Sequence, residues 1–239
     1  MKTGVLCIHG FTGGPYELEP FVDFLKANTH WEIVVPTLPG HGETLALEKL
    51  SAENWMMAAE QTLRQLQKEV ERVYVIGFSM GGLIALYLAN RYPIDKLILL
   101  SAAAKYVYPN QLLKDIREIA KEALTGKLEN NQLYKFYRRK FKNTPIHAAL
   151  EFMRVVRIVE PFYGQITIPV FLVQGKKDGI VPYMAAQFLF DQLGSVKKEL
   201  TYLEKGKHHI CYSEDCEVWF TKALRFLKDE EVETEKVIN

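Results

Sequence analysis

The chain has 239 residues, 48% of them hydrophobic and 25% charged, and its formal net charge is +1. That composition belongs to a folded globular domain with a sizeable core, and it excludes a disordered or fibrous chain. With charges balanced and no basic run, neither nucleic acid nor an anionic membrane is an expected partner.

Cys7, Cys211 and Cys216 are the three cysteines. An odd, sparse set makes no disulfide framework, and Cys7, inside VLCI, reads as a small buried hydrophobe. The opening stretch MKTGVLCIHGF lacks the length of a signal-peptide core. No apolar run reaches the roughly 18 residues of a membrane span. The sequence therefore reads as cytoplasmic, with no stable membrane association and an oligomeric state it does not reveal.

In chain order, the predicted strands are Gly4–Ile8, Glu32–Val35, Arg72–Ile76, Lys96–Leu100, Pro169–Gln174 and Glu199–Leu203. Several are nearly continuous in Val, Ile and Leu, as strands buried on both faces are. Helical patterns lie between them at Glu17–Lys26, Glu53–Glu69, Gly81–Arg91, Met184–Leu193 and Cys216–Leu227. This alternation predicts an α/β fold, a mainly parallel sheet of about six strands with helices on both faces. About sixty residues between Leu100 and Pro169 break the rhythm, too many for a loop and too few for a full domain. They read as the helices Gln111–Leu124, Asn130–Phe141 and Ile146–Val159, with breaks at Gly126 and Pro145. The expected organisation is a core of residues 1–104 and 166–239 interrupted by a helical insertion over 105–165. The charged tail from Asp229 to Asn239 is expected to fray.

Gly77-Phe78-Ser79-Met80-Gly81 fits G-x-S-x-G, between a predicted strand and a predicted helix. That context turns a common pattern into a candidate nucleophile elbow. The serine sits on a strained turn, glycines let neighbouring backbone approach, and the helix N-terminus favours developing negative charge. The plain alternative is a glycine-rich turn. The Met80 amide, next to the nucleophile, is one candidate donor to an oxyanion. The second is the amide of Phe11, in CIHGFTGGP, where Gly13 and Gly14 keep the loop slim. His9 reads as shaping that loop.

A serine hydroxyl needs a base, and the base needs an orienting acid. With such an elbow the partners follow in the order serine, acid, histidine. Asp178, in VFLVQGKKDGIVP, lies just past a strand's carboxyl end, where such sheets place active-site groups. Asp95 enters its strand at the wrong end, and Asp191 falls within a helix. The last strand leads into EKGKHHICYSEDC, and spacing alone does not choose between His208 and His209. His30, His41 and His147 all precede Asp178. The cluster His208, His209, Cys211 and Cys216 matches no common zinc spacing, so no metal or organic cofactor is expected.

HGFTGGP, LPGHG, GFSMGG, the run from Gly175 to Pro182 and a late histidine together resemble the α/β-hydrolase superfamily. More narrowly, the chain resembles small bacterial carboxylesterases and monoacylglycerol lipases from Gly4 to about Leu227, with FKNTP at Phe141–Pro145 similar to a segment of that group. The spacings from Leu203 to His208 and from His208 to Phe226 match the family's late motif, so the resemblance implies His208 as base. It also implies an α/β-hydrolase fold, a cap carrying Phe136, Tyr137, Phe152, Met153, Val155, Val156, Ile158 and Phe162, and catalysis by Ser79, Asp178 and His208 with an oxyanion hole of Phe11 and Met80. The implied activity is hydrolysis of short-to-medium acyl esters or monoacylglycerols. A thioesterase or acyltransferase would use the same triad, and a non-catalytic binding module is the remaining alternative. Larger relatives carry two further strands ahead of the HGF strand, where this sequence has only Met1–Thr3, so its sheet is expected to start at that strand.

Overall fold

The computed structural model describes residues 1–104 and 144–229. The predicted helices Gln111–Leu124 and Asn130–Phe141, with Phe136 and Tyr137, lie outside the described residues, as do 230–239.

Six strands form one sheet: β1 (Thr3–Ile8), β2 (Glu32–Val34), β3 (Arg72–Phe78), β4 (Lys96–Leu100), β5 (Val170–Gly175) and β6 (Lys198–Leu203). Their order is β2-β1-β3-β4-β5-β6, and every pairing is parallel. The described helices are α1 (Glu19–Asn28), α2 (Ala52–Leu66), α3 (Met80–Ala89), α4 (Ile146–Val159), α5 (Met184–Gln192) and α6 (Cys216–Lys228). None is long and apolar enough to cross a membrane.

Sheet position explains the strand sequences. Central β1 and β4 are buried along their whole length and are almost entirely apolar, because helices cover both faces. Edge strand β6, KELTYL, is only partly buried and mixes polar with apolar residues. Successive side chains point to opposite faces, which divides the core in two. Leu6, Ile8, Val75, Leu97, Leu99 and Leu172 pack with α2, α3, α4 and α5. Val5, Cys7, Ile76, Ile98, Leu100 and Val173 pack with α1 and α6. In that second layer Phe21 of α1 meets Trp219 of α6 with ring centroids 4.6 Å apart.

Two predicted boundaries move for identifiable reasons. The helix expected from Glu17 begins at Glu19, after a 3₁₀ turn over Pro15–Glu17. Glu17 turns its carboxylate back to the Gly10 amide. Strand β3 continues past Ile76 to Phe78, held by the pairs Gly77–Leu99 and Phe78–Leu100, so the sheet runs up to Ser79. Asp229, placed by the sequence in a fraying tail, instead bonds Lys96 and Lys197. Buried Lys96 also donates to the Phe226 and Leu227 carbonyls at 2.7 and 3.0 Å, fastening the end of α6 to β4. Burial lowers the Lys96 pKa, and its bond to Asp229 opposes that only in part.

Helix α4, with the bounds the sequence predicted, packs in the core with α2 and α3. The Ala52 amide, an orphan donor at the start of α2, donates to Glu151 Oε2 of α4 at 2.9 Å. Arg154 pairs with Glu53 beside it.

The chain leaves β1 for β2 on one side and returns to β3 on the other. The switch point therefore lies between the carboxyl ends of β1 and β3, where open α/β sheets form their binding crevice. The His9–Phe11 loop and Ser79 emerge there.

Candidate active site

Ser79 joins β3 to α3 with φ 53° and ψ −117°, outside the regions an L-residue adopts without strain. Three bonds hold it there: its amide donates to the Leu100 carbonyl at 2.9 Å, and its carbonyl accepts from the Gly82 and Ala103 amides at 3.0 and 3.3 Å. The flanking glycines are sterically required. A β-carbon on Gly77 would stand 2.3 Å from the Gly81 carbonyl oxygen, and one on Gly81 would stand 2.1 Å from the Ile8 oxygen. At Gly82 it would press to 2.8 Å on Ala102. The bare backbone lets α3 descend between β1 and β4. Ser79 keeps only 7% of its surface accessible.

His208 Nε2 lies 3.1 Å from Ser79 Oγ, and His208 Nδ1 lies 2.9 Å from Asp178 Oδ2. A carboxylate accepts, so Nδ1 carries the proton and Nε2 is free to accept from the serine hydroxyl. Burial raises the Asp178 pKa, but His208 and the Val181 and Ile180 amides outweigh it and hold the group below the usual aspartate value. Those amides donate to Oδ1 at 2.9 and 2.8 Å. Oδ2 receives a second donor, Gln174 Nε2, at 2.9 Å.

Gln174 was not singled out in the sequence. Its signal is a polar residue near the end of the apolar strand VFLVQG, and it is fully buried. Its Nε2 also faces the Gly175 and Val181 carbonyls at 3.3 and 3.5 Å. Every group facing that nitrogen is an acceptor, which fixes the orientation of the amide.

The loop after β1 closes against the serine. A β-carbon on Gly10 would stand 3.2 Å from Ser79 Cβ. His9 shapes this loop: its Nε2 accepts from the Leu38 amide at 3.0 Å, and its Nδ1 donates to the Gly10 carbonyl at 2.9 Å. Phe11 follows directly. Met80 opens α3, so its amide has no acceptor one turn earlier in the helix. The Phe11 ring stacks on Phe152 of α4, with centroids 5.4 Å apart and planes 13° apart, and also meets Trp55 and His41.

Of the other candidates, His209 turns to Glu17, with Nε2 and Oε1 3.4 Å apart. Asp95 accepts from the Val73 amide at the amino end of β3, and His30 and His147 are exposed. Cys7 and Cys211 are buried, which pushes Cys7 up to about 12 and Cys211 well above its ordinary thiol value.

Against known proteins, residues 1–215 match the family described as serine aminopeptidase, S33. The chain belongs to that family. This S33-family hydrolase is 25% identical over 227 residues to a thermostable monoacylglycerol lipase of Bacillus sp. (strain H-257), spanning 93% of this chain and 89% of that protein. A carboxylesterase of Bacillus subtilis (strain 168) is 20% identical, spanning 94% of this chain and 92% of that one. Among solved structures, one reported with the metagenome-derived lipolytic enzymes LipS and LipT superposes with a TM-score of 0.77 at 20% identity, covering 95% of this chain and 94% of that chain. The six-stranded α/β-hydrolase fold expected from the sequence is thus shown.

Proposed function

We propose that this S33-family hydrolase is a serine carboxylic-ester hydrolase acting through an acyl-enzyme on Ser79. The observation that carries the reading is the continuous relay from Asp178 Oδ2 through His208 to Ser79 Oγ, with links of 2.9 and 3.1 Å. Ser79 attacks the ester carbonyl while His208 takes its proton. The Phe11 and Met80 amides receive the oxyanion, and Asp178 stabilises the imidazolium. His208 returns the proton to the departing alcohol. It then activates water, which releases the acid and regenerates the serine.

The cap assignment, residues 105–165 over a core of 1–104 and 166–239, is part of this proposal. Phe152, buried on α4 and stacked on Phe11, puts an apolar wall beside the proposed oxyanion loop. With Trp55 and His41 already crowding Phe11, this wall favours a short-to-medium acyl chain or a monoacylglycerol. Free Cys7, Cys211 and Cys216 suit a reducing compartment, and we place the enzyme in the cytoplasm.

The test is a panel of p-nitrophenyl esters, monoacylglycerols, acyl thioesters and aminoacyl p-nitroanilides. The reading predicts turnover of the oxygen esters with little or none of the nitroanilides, whose amine leaves far less readily. Faster turnover of thioesters would favour a thioesterase on the same triad. Preference for aminoacyl nitroanilides would contradict the ester assignment.

A further inference from the structure

Glu17 is a carboxylate with 2% of its side chain exposed, buried beside the site and given no part in the mechanism above. A carboxyl group so deep must have hydrogen-bonding partners. One is the Gly10 amide, which donates to Oε2 at 2.8 Å. His209, immediately after the base, brings its Nε2 to 3.4 Å from Oε1. The loop is built around this group. A β-carbon on Gly13 would stand 1.8 Å from Glu17 Oε2, so Gly13 leaves the space the carboxylate fills.

We infer that Glu17 is a positioning residue that aims the Phe11 amide at the oxyanion. This rests on the reading that Phe11 supplies an oxyanion donor. The peptide carrying the Phe11 N–H also contains the Gly10 carbonyl, which His9 Nδ1 and the Gly13 amide hold at 2.9 and 3.2 Å. The preceding peptide contains the Gly10 N–H, which Glu17 holds. With both planes fixed, the φ and ψ of Gly10 are fixed too, in a residue whose own conformational freedom is the greatest of any. The turn needs such a hold: Thr12 sits at φ 61° within it, buried and on the left-handed side. Glu17 has a firm base of its own, since its amide donates to the Gly14 carbonyl at 3.0 Å. Through His209 the same carboxylate also reaches the loop that carries His208.

Donors to an oxyanion act on the transition state, so their misplacement lowers kcat more than it raises KM. Glu17→Ala removes the anchor. Glu17→Gln keeps an oxygen for the Gly10 amide and removes the carboxylate from the contact with His209. Glu17→Met fills the space without an acceptor. Each is compared with wild type in kcat and KM for a p-nitrophenyl ester, in the rate at which a fluorophosphonate labels Ser79, and in thermal unfolding. Glu17→Ala and Glu17→Met are expected to lose about 100-fold in kcat, the scale of one oxyanion donor. Their KM should stay within about threefold of wild type, and labelling should slow in parallel. Glu17→Gln should recover kcat to within roughly tenfold of wild type.

A folded Glu17→Ala or Glu17→Met with near-wild-type kcat overturns the proposal, as does a loss carried by KM alone. A folded Glu17→Gln as impaired as about 100-fold overturns it too, including when it is the only one of the three that folds. A wild-type protein inert toward esters but labelled at Ser79 contradicts the ester reading alone, and the labelling rates of the variants then decide the role of Glu17. A wild-type protein that does neither overturns both.

Discussion

His208 Nε2 lies 3.1 Å from the Oγ of Ser79 across 129 positions of sequence, whereas the ring of the adjacent His209 meets Glu17. The two histidines are neighbours in the chain and face different partners. His208→Ala should therefore cost several powers of ten in kcat, the loss expected when a triad base is removed. His209→Ala, which leaves the Gly10–Glu17 bond in place, should cost no more than roughly tenfold. Steady-state kinetics on one ester checks both. The larger loss in His209→Ala would reverse the assignment.

Asp178 carries two predictions. Four donors converge on its carboxylate, and it sets the tautomer of His208. Asp178→Asn should lower kcat by about 10⁴-fold, since an amide there favours the wrong tautomer. The second concerns stability. The folded pKa lies below the ordinary 3.8, so the folded state binds this proton less readily than the unfolded state. Its contribution to stability is fully present above the ordinary value and is lost as pH falls through the lower, folded value. Denaturant titrations from pH 5 downward should show a steeper loss for wild type than for Asp178→Asn. Parallel curves would contradict the shift.

Gly81→Ala tests the elbow itself. The added carbon would stand 2.1 Å from the Ile8 carbonyl oxygen and 2.6 Å from that of His9. Backbone cannot yield as a side-chain tip can, so α3 or β1 must move. The expected loss is about 3 kcal/mol or more in denaturant unfolding, or failure to fold. A variant of wild-type stability would mean that α3 sits farther from β1 than described.

How far the sequence carried the account depended on whether an interaction was local. Strand β4 and helix α4 were legible to the residue because a continuous apolar run and Pro145 mark their ends. The elbow was legible because its glycines crowd one turn. Gln174 and Glu17 were not, because their importance depends on partners that the fold supplies: Asp178 for one, Gly10 and His209 for the other. For the same reason spacing could not separate His208 from His209. Two adjacent residues on one loop differ in which way the ring turns, and that is decided by Asp178, Ser79 and Glu17 in other segments.

The central claim is that Ser79 Oγ forms the covalent intermediate. Mass spectrometry of the protein after reaction with a fluorophosphonate, followed by peptide mapping, tests it most directly. The account predicts a single adduct on Ser79, formed faster than any label on Ser79→Ala and accompanied by complete loss of ester hydrolysis. An adduct on another residue, or hydrolysis that survives in Ser79→Ala at the wild-type rate, would contradict it.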